Sequence, residues 1–233
     1  NTKKPLMTMD LRLFIDSPLY QHWMPMSSKH SSNAPFAEVI ISSLQQWTAQ
    51  SWQWNVRPDF ASLMVVQDGN RTIFGLVYSI QTGSWQTERT PFPYQKTEEE
   101  LLRDQPHIFE FLQTTFTCLT VGHRQEDMAI AYQYALQPPK IHAFVRPATP
   151  DEAQAFFSDD RYLTMIFGAP NDQCNLGELL LALLKQRSSE GSLSHEQFKK
   201  FIDTYSLLTG NDYRRLKLFL HRVQPITSTS HSP

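Results

Sequence analysis

Hydrophobic positions change their spacing once along this chain, near residue 148, and that change divides it. Residues 37–54 (AEVIISSLQQWTAQSWQW) are rich in β-branched and aromatic side chains with partial period-two alternation, the pattern of a half-buried strand region. Residues 62–80 (SLMVVQDGNRTIFGLVYSI) contain two apolar strands joined by Asp68-Gly69-Asn70. Asp-Gly supplies the positive φ of a tight hairpin turn, so this is the clearest hairpin in the chain. Gly75 inside the second strand predicts a bulge or a close backbone approach. A proline-broken loop follows at 84–96, and then Thr97 and Glu100 form a capping box that opens a short helix. Residues 108–121 begin as helix and pass into strand, and further strands are expected at 129–134 and 141–145.

Beyond residue 148 the period becomes helical. Thr149-Pro150-Asp151-Glu152 is a second capping box, with proline at the first helical position, where its missing N–H costs nothing. Leu176, Leu179, Leu180, Leu183 and Leu184 share one face of a helix capped by Asn175, with Glu178 three residues on. Ser194 to Gln197 caps a third helix carrying Phe198, Phe201, Ile202 and Tyr205. Gly210 ends it, and a last helix starting at Asn211 carries Leu216, Leu220 and Val223. The expected fold is therefore α+β: an N-terminal arm and linker (1–36), a small antiparallel β-barrel (37–147), a helical segment of about four helices (148–225) and a polar tail (226–233). In the arm, Leu11, Leu13 and Ile15 suit an added strand or a wrapping segment, and 27–33 (SSKHSSN) reads as a flexible linker.

Composition changes this picture only by exclusion. Apolar residues are 40% and charged residues 19%, a globular balance, and no apolar run approaches the ~20 residues of a membrane span. The N-terminal lysines precede no apolar core, so no secretory signal is expected. Two cysteines, Cys118 and Cys174, make no disulfide framework, and Cys118 in the apolar run 116–121 reads as a core thiol. These points predict a cytoplasmic protein. Net charge is −2, so the basic balance of a duplex-binding domain is missing and any phosphate-binding surface must be local.

Candidate chemistry is sparse. With 8 glycines in all, neither a P-loop nor a dinucleotide-binding glycine motif occurs. The eight histidines form none of the HxH, HxxxH or HExxH pairs that converge on a metal. Asp159-Asp160 and Glu98-Glu99-Glu100 read as solvated or capping carboxylates, and Glu126-Asp127 after Gly122-His123-Arg124 as a polar turn. No cofactor and no metal are expected, and no enzymatic activity.

Aromatic residues stand out more. Trp47, Trp52 and Trp54 cluster in one strand region and read mainly as barrel core, because half of any strand faces inward. Trp85, Arg89, Phe92 and Tyr94 in the following loop form one candidate interaction surface. Tyr213, Arg214, Arg215 and Lys217, with His221 and Arg222 after them, form a second on one basic helix face. That face suits nucleic acid or an acidic partner, or merely complements the helix C-terminal dipole.

The strand region from 39 to about 145 resembles the HAS-barrel family, the small N-terminal barrel of HerA-type ring ATPases and of ATP synthase α and β subunits. The resemblance rests on 38–43 (EVIISS), 60–66 (FASLMVV) and 71–77 (RTIFGLV), with 116–122 and Gln137-Pro138-Pro139 fitting the later strand and its exit. Ala61 stands where that family more often has glycine. The resemblance implies an assembly surface that works with other subunits, such as a ring ATPase or another multi-subunit complex. It carries no motor activity to this chain.

Two functions are therefore expected. The first is a non-catalytic protein-interaction or assembly module. The alternative is an OB-like barrel binding single-stranded nucleic acid, with aromatics beside Arg57, Arg71 and Arg89 stacking bases and the 213–222 face holding phosphates.

Overall fold

The computed structural model describes residues 34–85, 92–126, 128–169, 175–210 and 212–228, so 1–33 of the expected arm, 229–233 of the expected tail, Arg89, Asp127, Cys174 and Asn211 lie outside the described residues, and the last helix runs to Ser228, three residues into the expected tail. Six antiparallel strands close into a barrel in the order β1-β2-β5-β4-β3-β6, with β6 returning to pair with β1. The strands are β1 (Ala37–Ser42), β2 (Gln46–Ser51), β3 (Leu63–Asp68), β4 (Arg71–Ser84), β5 (Leu112–Gln125) and β6 (Phe144–Pro147).

The expected hairpin is present: Asp68 pairs with Arg71 across a two-residue turn in which Gly69 has φ 62°. Gly75 meets both expectations made for it. The β4–β5 register shifts beside it, and a Cβ there would lie 2.7 Å from the Trp47 ring and 2.8 Å from Cys118 Cβ. Trp47 fills the barrel, and only a missing side chain on β4 leaves room for its indole.

Strand alternation sorts the side chains into two cores. Ala37, Val39, Trp47, Ala49, Met64, Val66, Ile73, Val77, Phe116, Cys118 and Val145 come from all six strands and fill the lumen. The intervening residues of β3, β4 and β5 (Leu63, Val65, Phe74, Leu76, Leu119 and Val121) face outward, yet they are buried, because the helical segment covers them.

Six α-helices are described: α1 (Glu98–Asp104), α2 (Pro150–Phe157), α3 (Tyr162–Phe167), α4 (Leu176–Ser189), α5 (His195–Leu208) and α6 (Tyr213–Ser228). The capping boxes at Thr97, Thr149 and Ser194 form as expected, and Asn175 caps α4 by accepting from the Glu178 N–H. Gly210 adopts φ 68° at the end of α5. Five helices rather than about four follow residue 148. The addition is the single-turn α3, whose Arg161 N-cap makes no side-chain hydrogen bond and so left no signal in the sequence. Asp212 caps α6 by accepting from the Arg215 N–H at 3.0 Å.

Two strand expectations need correction. Residues 129–134 form no strand, only an isolated bridge between Ala131 and His123, and the Tyr132 hydroxyl is turned to the Phe156 carbonyl instead. The last strand starts at Phe144, because 140–143 make a turn with His142 at φ 66°.

Phe156 joins helices to barrel, its ring within 5.1–5.8 Å of the Phe74, Tyr132, Phe157 and Tyr162 rings. Arg146 on β6 grips Glu152 on α2 with two bonds of 2.6 and 2.8 Å, and Arg124 on β5 lies 3.8 Å away. Burial alone would raise the Glu152 pKa, but the Arg146 hydrogen bonds, the Thr149 N–H and the two arginine charges hold it below the usual range. Among the described residues, no helix is long and apolar enough to cross a membrane.

Candidate functional site

The two surfaces expected from the sequence fall on separate elements. β4 and β5 pair out to Ser84 and Leu112, whereas β3 follows β4 only to Leu76 and β2 follows β5 only to Thr115. The far end of this hairpin therefore runs past the barrel. Trp85 sits at that end, exposed, its ring 6.2 Å from Phe111. Phe92 and Tyr94, also exposed, pack edge to face at 5.6 Å. Of the second surface, Arg214, Arg215 and Lys217 are exposed on α6, and the Tyr213 side chain is outside the described residues.

The dipole explanation for the basic helix face does not hold for its first members. α6 begins at Tyr213, so Arg214 and Arg215 lie in its first turn, where the helix field disfavours cations. Glutamates or aspartates occupy the first turn of α1, α2, α4 and α5, and none occupies that of α6.

The tryptophan cluster is divided. Trp47 is buried in the lumen, Trp54 stacks at 5.4 Å on Phe109 under the projecting hairpin, and Trp52 is exposed. The phase of β2 explains the split. Trp47, Ala49 and Ser51 point inward, so the even-numbered tryptophans that follow fall on the outer side. Arg71, which the base-stacking reading would use, donates instead to Asp68 and to the carbonyls of Gln137 and Pro138.

Trp52 belongs to a platform that sequence reasoning missed. Its ring meets Phe144 edge to face at 5.4 Å, and both residues are about half exposed, at 52%. Phe144 is the register partner of Glu38 across β6 and β1. The Glu38 carboxylate accepts from the Trp52 indole N–H at 3.0 Å and lies 3.2 Å from Nδ1 of His142. One carboxylate thus fixes two rings of the platform. Ile40 and Ile41, at the β1 bulge, add exposed aliphatic surface on the same strand. Beside Phe144 opens a groove of about 380 Å³ lined by Pro35, Gln67, His142, Ala143, Phe144 and Arg146.

His142 holds φ 66° in this platform, and a non-glycine residue in the left-handed region carries a strain of ~1 kcal/mol or more. The signal for the platform was the inward-outward phase of β2, which assigns Trp52 to the outside. The strain at His142 had no sequence signal.

Several other candidate polar groups are engaged in structure. The Cys118 thiol is wholly buried, and desolvation pushes its pKa well up, so it is held protonated. A second hollow of about 440 Å³, lined by Asn70, Arg71, Gln125 and Glu126, adjoins the Asp68–Arg71 ion pair. His123 turns its Nδ1 to the Gln133 carbonyl at 3.1 Å. Asp159 is paired with Arg161, and Asp160 accepts from the Thr204 hydroxyl. Among the described residues, no group of three or more histidines, cysteines or carboxylates is placed to hold a metal. No protein-family model matches the chain, and no curated protein does either.

Proposed function

We propose that this chain is a non-catalytic protein-interaction module of the cytoplasm, a subunit or accessory factor that docks a larger assembly through the outer face of β1 and β6. The observation that carries this reading is the Trp52–Phe144 pair, two aromatic rings half in solvent, with the Trp52 indole held by a hydrogen bond to Glu38 and Phe144 packed edge to face on it. Tryptophan and other large rings held rigid on a surface are the usual anchors of protein interfaces, because little side-chain entropy is lost when a partner covers them. The strained His142 at the platform rim supports the same reading, since strain is retained where it serves a contact.

The HAS-barrel likeness supports an assembly role, and the closed barrel is compatible with it. Ala61 stands where that family more often has glycine. The residue adopts φ 67°, a conformation that favours glycine, so its position makes the demand that the family's commoner glycine would meet. The partner class suggested by that likeness is a ring ATPase or another multi-subunit complex.

The test is to isolate the tagged full chain from its source cells, with and without nuclease, and to analyse it by mass spectrometry and light scattering. A stoichiometric protein partner that survives nuclease is expected. A monomer alone, or a nucleic acid as the sole companion, would overturn the proposal.

A further inference from the structure

The platform leaves the basic side of α6 unused. Leu216, Phe219 and Val223 turn toward the helical core, where Phe219 stacks on Tyr205 at 4.4 Å. Arg214, Lys217, Leu218 and His221, spaced three and four apart, share the opposite face, and all four are exposed. The flanking cations are engaged: Arg222 pairs with Glu178 at 2.6 Å, and Arg215 bonds the Tyr205 side chain. Among the described residues, Arg214 and Lys217 make no ion pair. Between them and His221 lies Leu218, 62% exposed.

We infer that this face docks an acidic amphipathic protein segment, its carboxylates set against Arg214 and Lys217 and an apolar side chain laid on Leu218. Charge selects the sign of the partner, and Leu218 selects its class. A leucine in the middle of the face offers nothing to a phosphate backbone but suits the apolar stripe of a helix. Arg214 to His221 spans about 10 Å of helix, enough for two turns of a partner but only a few phosphates. The net charge of −2 adds no general attraction for a polyanion. Arg214 in the first turn of α6 costs the free helix some stability, and a carboxylate brought by the partner would offset that.

The probe is a fluorescent acidic helical peptide about 18 residues long, with leucine at every third or fourth position, titrated with the full chain. Two controls are a peptide of the same composition with the leucine stripe scrambled and a single-stranded DNA oligomer. Binding should weaken with salt, fall ~10-fold or more in R214E/K217E, and fall several-fold in L218S for the striped peptide alone. The charge-reversed variant should melt no lower than the parent, because glutamate at 214 suits a first helical turn and position 217 is exposed and makes no ion pair among the described residues, so lost binding would not reflect lost folding. Equal binding of the scrambled peptide, tighter binding of DNA, full retention by R214E/K217E, or no binding of the striped peptide would each overturn the inference. The surface uses no residue of the Trp52–Phe144 platform, so the two readings fail separately.

Discussion

The two halves of the barrel wall are built from the same kind of strand and meet opposite fates. On β3, β4 and β5 the outward residues Leu63, Val65, Phe74, Leu76, Leu119 and Val121 are buried in one core with the helical segment. On β1, β2 and β6 the outward residues Glu38, Gln46, Thr48, Gln50 and Phe144 lie outside that helix-covered core, and Arg146 alone of this group reaches a helix, at Glu152 of α2. Where the helices pack on the wall, its side chains in that core are apolar. Where it is bare it is polar, apart from the β1 isoleucines and the one place where Trp52 and Phe144 break the rule. A stray exposed aromatic needs no explanation, but two in contact, one of them held by the Glu38 carboxylate, are an organised surface.

Breaking the covered half should have the largest effect. Phe156→Ala removes the ring that touches Phe74, Tyr132, Phe157 and Tyr162, and should cost ~3–5 kcal/mol in denaturant unfolding. A loss under ~1 kcal/mol would mean that the helices do not depend on this seam. Gly75→Ala acts on the lumen, forcing a methyl against Trp47 and Cys118, and should cost ~1–3 kcal/mol with a changed tryptophan emission.

The Arg146–Glu152 grip ties the bare half to the covered half through β6 and α2, and pH addresses it. The folded Glu152 pKa is depressed, so the stability that its charge adds is complete above the ordinary carboxylate pKa. That stability is lost as pH falls through the ordinary value toward the lower folded one. Unfolding measured from pH 7 down to about 3 should show a shallower decline in Glu152→Gln than in the parent. Parallel curves would assign the decline to other carboxylates. The smallest effect is expected at Ala61→Gly, which relieves the left-handed strain at the cost of a buried methyl. A change within about 1 kcal/mol, toward greater stability, is predicted by thermal melting.

Much of this contrast was readable in the residue pattern. The unbroken apolar runs Leu63-Met64-Val65-Val66 and Ile73-Phe74-Gly75-Leu76-Val77 already described strands buried on both faces, and the alternation of β2 described a strand with one bare face. Gly75, the hairpin and the helix caps were legible because each depends on a local steric or hydrogen-bonding demand. Closure of the barrel was less so, since it needs β6 to reach β1 across about a hundred residues, and short-range pattern does not encode that pairing. The strand expected at 129–134 failed for a related reason. Its alternation is real, but Tyr132 and Ile130 pack against the α2 side of the barrel, and a tertiary contact overrode the local preference. The platform was half legible: Trp52 by the phase of its strand, Phe144 and Glu38 only once β1 and β6 were paired.

The central claim is that the bare half of the barrel is kept for docking and adds little to folding. The most direct measurement is therefore the unfolding free energy of a Trp52→Ala/Phe144→Ala variant beside its retention of the co-purified partner. The account predicts stability within about 1 kcal/mol of the parent and loss of the partner. A variant that loses several kcal/mol while keeping its partner would contradict it, and would make the platform part of the core.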